Sequence, residues 1–274
     1  LQQMEGMDSR AKSISLTEVI EKIDPKTIQE WEKLIANGVY EYLPLGDVKL
    51  LAPIPYPRRN VICLGKNYAE HAREIKITRI SDNYIPDDPI YFTKTATPAI
   101  AHGDPIHFSS SVTTQVDYEV ELAVVIGKAG SNIKPEQAYE YIFGYTIVND
   151  VSARDFQAKH KQWFKGKSLD NFCPMGPVIV TKDEIPFPVE LRIQCRINGE
   201  LRQDSNTRNM IFGIAEIISD LSKGMTLQPG DIICTGTPSG VGMGFDPPKF
   251  LKDGDVVECY IEKIGYLTNT VSMV

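Results

Sequence analysis

Asp117-Tyr118-Glu119-Val120-Glu121 runs without a break into Leu122-Ala123-Val124-Val125-Ile126-Gly127, and no other stretch restricts the fold as much. Side chains alternate across a β-strand, so the three carboxylates leave one face while Tyr118, Val120 and Leu122 leave the other. An acidic face that continues into an apolar run resists burial unless cations compensate it. A divalent cation with oxygen ligands satisfies that demand. A solvated edge strand with a charged outer face satisfies it as well, and the pattern leaves both readings open.

The rest of the chain narrows the setting. At 274 residues it is long enough for one large domain or for one domain with a small appendage. A hydrophobic fraction of 42% excludes a disordered chain, and a net charge of −7 without any long Lys/Arg run argues against nucleic acid or an anionic membrane as partner. Cys63, Cys173, Cys195, Cys234 and Cys259 are odd in number and lack C-x-x-C spacing. They read as reduced core thiols of a cytoplasmic protein, not as a disulfide framework or zinc site. No apolar run approaches membrane-spanning length and no secretory leader is visible. The first residue is Leu1, which suggests a processed start or an expression remnant ahead of the fold.

In chain order, Ser15 to Ala36 predicts two short helices divided near Asp24-Pro25. Pro44, Pro53, Pro55 and Pro57 make Tyr42 to Arg59 an extended connector. The expected organisation is therefore a small N-terminal helical segment with its Pro-rich connector over 1–57, followed by the main domain over 58–274. Val61 to Leu64 predicts a strand, and Asn67 to Glu74 a helix on which His71 and Glu74 share a face. A His oriented by a carboxylate is the construction of a general base, although spacing alone favours a surface ion pair. Ile75 to Pro89 reads as a loop long enough to cover a site, mobile without substrate and ordered over it. Ile90 to Lys94 and Ile142 to Val148 predict strands, and Asp150, just past the second, either caps the next helix or faces a ligand. Phe164 to Asp170 reads as a turn with two cations, Asn198-Gly199 as a hairpin, and Met210 to Leu221 as an amphipathic helix. The loop Thr235-Gly236-Thr237-Pro238-Ser239-Gly240-Val241-Gly242 is free enough in its backbone to aim several N–H groups at one anion, but it lacks the features of a P-loop.

Five ordered segments, taken together, resemble the fumarylacetoacetate hydrolase family over about Arg58 to Val274. They are Gly65-Lys66-Asn67-Tyr68-Ala69-Glu70-His71, Asp117 to Leu122, Gly144-Tyr145 through Asp155, Gly166-Lys167-Ser168, and Gly230-Asp231 through Gly242. The resemblance implies an α+β fold with a mixed β-roll core, peripheral helices and a small N-terminal segment. It also implies a divalent metal, Mg²⁺ first, Mn²⁺ second and Ca²⁺ after these, held by Glu119, Glu121 and Asp150, which leaves Asp117 outside the ligand set. By the same matching, His71 and Glu74 form a catalytic dyad and Lys167 contacts substrate near the metal. Arg154, Gln157, Thr237, Gly236 and Lys94 surround the substrate, and the chain is expected to form a homodimer.

The chemistry this implies is cleavage of a C–C bond in a small 2-oxo acid through an enolate, by acylpyruvate hydrolysis or oxaloacetate-type decarboxylation. Isomerisation of 2-hydroxyhepta-2,4-diene-1,7-dioate, or decarboxylation of 5-carboxymethyl-2-oxo-hex-3-ene-1,7-dioate, would use the same intermediate. A non-enzymatic alternative is a protein that binds a 2-oxo acid in a metal-dependent way.

Overall fold

Thirteen strands form three sheets in the computed structural model, which describes residues 14–38, 42–74 and 85–274. The first sheet is six-stranded, in the order β2 (Ile90–Lys94), β1 (Val61–Gly65), β11 (Ile232–Cys234), β5 (Val120–Ile126), β6 (Ile142–Asn149) and β8 (Met175–Thr181). The second is five-stranded, in the order β10 (Glu200–Asn206), β9 (Arg192–Ile197), β12 (Val256–Ile261), β13 (Gly265–Met273) and β3 (Ile106–Phe108). The short pair β4 (Val116–Asp117) and β7 (Ser152–Ala153) completes the set. β1 pairs with β11 and β13 with β3 in parallel, and the other pairings are antiparallel, so the core is mixed and its sheets do not close into a barrel.

β5 explains how the sheets pack. Tyr118, Val120, Leu122, Val124 and Ile126 enter the larger apolar core, together with Ile193, Cys195 and Ile197 of β9, Val257 and Cys259 of β12, and Ile214, Ile217 and Ile218 of the helix α7 (Ile214–Leu221). Ala123 and Val125 point the other way, into a second core with Val61, Cys63, Met175 and Cys234. Period-two alternation thus serves two buried faces, which is why this strand is apolar on both sides once its carboxylates end. Glu119 and Glu121 belong to the odd-numbered face.

The continuous strand expected from Asp117 onward is broken at Tyr118-Glu119. Asp117 pairs with Ser152, whereas Val120 pairs with Asn149 in a different sheet. The Tyr118 N–H donates to the Asp117 side chain and the Glu119 N–H to Asn149 Oδ1, so side chains satisfy the backbone where the ladder stops.

Helices surround the sheets. α1 (Leu16–Lys22) begins with a capping box between Ser15 and Glu18 and buries Ile20 in the second core. Its Thr17 lies against Gly230, where a Cβ would come within 2.7 Å of the Thr17 methyl. Glu21 pairs with Arg58. α2 (Pro25–Ala36) is capped by Asp24 and leaves Ile28, Leu34 and Ile35 exposed. α3 (Ala69–Glu74), α4 (Ala138–Tyr141), α5 (Arg154–His160), α6 (Phe164–Lys167) and α7 (Ile214–Leu221) follow.

Two expectations are corrected here. Phe164 to Lys167 is a turn of helix, not a plain turn. The helix expected from Met210 begins only at Ile214, because the Ile211 N–H donates to the Asn67 carbonyl and the Phe212 N–H to Asn67 Oδ1. Asn198-Gly199 forms the expected hairpin turn, both residues at positive φ. Of the covering loop expected over Ile75 to Pro89, residues 75–84 lie outside the described residues. Among the described residues no helix is long and apolar enough to cross a membrane.

Candidate active site

Two backbone segments bring the acidic residues together. The Asp150 N–H donates to the Glu119 carbonyl at 2.9 Å, which ties the end of β6 to the β4–β5 junction. Ligand oxygens of Glu119, Glu121 and Asp150 consequently lie within 4.8 Å of one another, all three residues buried. Lys167 Nζ bridges Glu119 Oε2 at 2.6 Å and Asp150 Oδ2 at 2.7 Å. Lys94 Nζ lies 2.5 Å from Asp150 Oδ1, and Arg154 Nη1 2.7 Å from Glu119 Oε1. The helix-capping alternative for Asp150 is excluded, since α5 starts after Ala153 without a side-chain cap.

Charge is unevenly distributed over this cluster. Buried Asp117, Glu119, Glu121 and Asp150 lie among buried Lys94, Arg154 and Lys167, and buried Lys66 lines the same cleft. Burial disfavours the Glu119 carboxylate, but Lys167 and Arg154 outweigh it and hold the group down at about 2. Burial pushes Glu121 well above the usual carboxylate range, and neighbouring Asp150 and Glu119 add to the effect. Three clustered carboxylates fit a hard divalent cation. Oxygen-only donors favour Mg²⁺ or Mn²⁺ over zinc.

Asp117 lies outside this set for a visible reason. Its carboxylate accepts N–H groups from Tyr118 (2.9 Å), Gly242 (2.6 Å) and Met243 (3.0 Å) and pairs with Arg154 Nε (2.8 Å). It anchors the glycine loop and one edge of Arg154.

The loop from Thr235 to Gly244 does direct N–H groups at anions, but the anions are the protein's own. The Gly236 N–H donates to Glu121 Oε2 at 2.8 Å, and the Gly240 N–H to both Glu74 oxygens at 3.0 and 3.1 Å. Gly240 has φ +101°, and a Cβ there would lie 1.8 Å from the Arg202 carbonyl oxygen, so glycine is required. The expected cradle for a single anion is thus a clamp that positions Glu121, Glu74 and Asp117.

His71 and Glu74 meet on α3, Nδ1 to Oε2 at 3.3 Å, and His71 is buried. The surface ion pair favoured by spacing alone is therefore corrected: the histidine faces inward, onto a cleft. That cleft is lined by polar His71, Glu119, Glu121, Gln157, Lys167 and Thr237 and by apolar Leu64, Gly65, Phe92 and Trp163. Phe92 and Trp163 meet edge to face at 5.2 Å, and Lys167 Nζ lies 5.2 Å from the Phe92 ring centre. Gly65 makes room for the indole, since a Cβ there would fall 2.1 Å from its ring.

The remaining expected residues divide into two groups. Gln157 and Thr237 line the cleft, and Gln157 Oε1 accepts from Arg154 Nη1 at 3.0 Å. Arg154 Nη2 is buried without a hydrogen-bond partner. Lys94 is fully buried against Asp150, and the Gly236 amide is engaged by Glu121, so both sit behind the carboxylates. Sequence reasoning gave no role to Trp163, Phe92 or Lys66, which also lines the cleft. Lys66 lay inside a recognisable segment, but only its backbone conformation, φ +56°, marks it as unusual.

Residues 60–272 match the model of the fumarylacetoacetate (FAA) hydrolase C-terminal domain. The chain is 52% identical over 247 residues to oxaloacetate tautomerase YisK of Bacillus subtilis (strain 168), an alignment covering 90% of this chain and 81% of that protein. Among solved structures it resembles fumarylacetoacetate hydrolase from the psychrophilic Exiguobacterium antarcticum, with TM-score 0.77 and 43% identity over 95% of this chain and 88% of that one. It also resembles 2-hydroxyhepta-2,4-diene-1,7-dioate isomerase from Mycobacterium marinum, with TM-score 0.71 and 41% identity over 84% of this chain and 80% of that one.

Proposed function

Since the chain belongs to the fumarylacetoacetate hydrolase family, we propose that it is a divalent-metal-dependent enzyme interconverting the keto and enol forms of a small 2-oxo acid, with oxaloacetate as substrate. The observation that carries this reading is the shared cleft: Glu119 and Glu121 of the acidic cluster open onto the same space as His71. Mg²⁺ or Mn²⁺ held by Glu119, Glu121 and Asp150 would polarise the keto oxygen and acidify the C3 hydrogens.

The chain's own residues then need only to move a proton. Glu74, clamped by Gly240, orients His71 through Nδ1 and leaves Nε2 to exchange the proton at C3. Lys167 donates to the oxygen on which negative charge grows. Arg154 Nη2 and the Gln157 amide supply further donors at the carboxylate end of the substrate. Ketonisation removes the enol O–H proton and adds one at C3, so no carbon–carbon bond has to break. Five buried free thiols agree with a reducing compartment such as the cytoplasm.

Cleavage between C3 and C4 draws on the same residues and is the competing reading. One experiment separates them: enol-oxaloacetate is diluted into buffer and its ultraviolet absorbance is followed, with pyruvate measured in parallel by lactate dehydrogenase. Expected are metal-dependent acceleration of enol loss, abolition by EDTA, and no matching pyruvate. Pyruvate released at the rate of enol loss would replace tautomerisation by cleavage. No acceleration with either metal, and no pyruvate, would remove the 2-oxo acid reading for oxaloacetate.

A further inference from the structure

Gln203 is a fully buried polar side chain that the chemistry above leaves without a task. It lies on β10, an edge strand of the second sheet, where the register with β9 shifts between Leu201 and Gln203. Such an irregularity re-aims a side chain, and this one reaches the first sheet. There β11 ends at Cys234, opposite Ala123, so Val120 has no strand beside it on that edge. The Gln203 carboxamide and the Thr237 hydroxyl fill the gap. Gln203 Oε1 accepts the Val120 N–H at 3.1 Å, and Gln203 Nε2 donates to the Pro238 carbonyl and to Thr237 Oγ1, each at 2.8 Å. The Val120 N–H can only donate and the Pro238 carbonyl can only accept, so the orientation of the amide is fixed. Thr237 Oγ1 therefore accepts from Gln203 and gives its own proton to the Val120 carbonyl at 2.9 Å.

The two segments that Gln203 joins are the ones that hold the site. Val120 stands between Glu119 and Glu121, and the loop after Thr235 supplies the Gly236 N–H to Glu121 and the Gly240 N–H to Glu74. The same loop lies close on β10, since a Cβ at Gly240 would meet the Arg202 carbonyl. We propose that Gln203 is a positioning residue that sets the spacing between the acidic strand and the glycine loop, and thereby the geometry of the carboxylate cluster and of the His71–Glu74 dyad together. Gln203 does not line the cleft, so it acts through Glu119, Glu121 and Glu74. Removing an outer partner of metal-binding side chains costs about 10- to 100-fold in metal affinity or activity. The inference rests on the metal-dependent reading above and extends it to a residue of the other sheet.

The test reads metal binding first, with Mn²⁺ alone, and turnover second. Gln203→Met keeps the volume and removes all three hydrogen bonds. Thr207→Val is the control, because it removes two equally buried bonds, from the Leu191 N–H and to the Val189 carbonyl, that touch neither the acidic strand nor the loop. Both variants should melt below the wild type when metal-free. Calorimetric titration at a temperature where both are folded should show Mn²⁺ bound about 10- to 100-fold more weakly by Gln203→Met and within about twofold of wild type by Thr207→Val. At saturating Mn²⁺, kcat for enol-oxaloacetate should still fall about tenfold in Gln203→Met, because Glu74 shifts with the loop. Gln203→Asn, one methylene too short to reach both segments, carries the same contrast if the methionine variant does not fold. Wild-type Mn²⁺ affinity or wild-type kcat in a folded Gln203 variant, or equal losses in Thr207→Val, overturns the assignment. A wild-type protein that binds no Mn²⁺ overturns it together with the metal reading. Weakened Mn²⁺ binding in Gln203→Met, beside a wild-type protein that does not turn over enol-oxaloacetate, would remove only the oxaloacetate reading.

Discussion

Gly244→Ala should disable the enzyme while leaving its fold nearly untouched. A Cβ at Gly244 would lie 2.0 Å from Glu74 Oε1, 2.3 Å from its Cδ and 2.5 Å from its Cγ. The carboxylate must therefore retreat by about 1.4 Å to reach the 3.4 Å of an ordinary contact. That movement breaks its hydrogen bonds from the Gly240 N–H and its 3.3 Å contact to His71 Nδ1. Misplacement of a catalytic group by about 1 Å costs on the order of 10²-fold in rate, or about 2.7 kcal/mol of transition-state stabilisation. The structural cost is small, because Gly244 is exposed and what must move is the end of a flexible side chain. We expect kcat for enol-oxaloacetate to fall about 100-fold with KM little changed and the melting temperature to stay within about 3 °C. Glu74→Gln in the Gly244→Ala background should add little, since both changes remove the same orienting contact. Wild-type kcat in Gly244→Ala, or losses that multiply in the double variant, would refute the dyad.

Other consequences follow from the charge cluster. Because the Glu121 carboxyl is held above its usual range, protons compete with the metal for it. Mn²⁺ should therefore raise the melting temperature more at pH 8 than at pH 6, and an effect independent of pH would contradict this. Glu119, held at about 2 against an ordinary value of 4.5, contributes stability that is complete above about pH 4.5 and is lost as pH falls toward 2. Urea midpoints of the metal-free protein should fall across that window, and less so in Glu119→Gln. Lys94→Met removes the fully buried partner of Asp150 Oδ1 while Lys167 still holds Oδ2, so metal-free stability should drop by about 1–3 kcal/mol in urea titrations. A near-neutral Lys94→Met would contradict this.

The sequence made the strands legible where alternation and turn chemistry agreed, as in β5 and in the Asn198-Gly199 hairpin. It made the start of α7 illegible, because a hydrogen bond to Asn67, more than 140 residues away, overrides the helical pattern of Met210 to Phe212. Three carboxylates at spacing two predicted one acidic face. The structure separates Asp117 from the others by ending its strand early and occupying it with three N–H groups and Arg154. The strand-end position offered Asp150 to a ligand, but only the family resemblance joined it to Glu119 and Glu121, since no local pattern links them before the chain folds. The glycine loop was visible as a source of N–H donors, but the carboxylates they meet were not: Glu74, Asp117 and Glu121 come from distant segments. Lys66 escaped notice because its left-handed backbone is imposed by Gly65 and Asn67 through contacts that sequence spacing does not encode.

The most direct measurement is a crystal structure with Mn²⁺ and oxalate, using the anomalous signal of the metal. The account predicts one Mn²⁺ peak bounded by the carboxylates of Glu119, Glu121 and Asp150, with oxalate beside it facing His71 and Lys167, and Asp117 still bonded to Gly242. A metal peak elsewhere, or none while Lys167 still bridges Glu119 and Asp150, would contradict the claim that this acidic cluster is the metal centre of a 2-oxo acid enzyme.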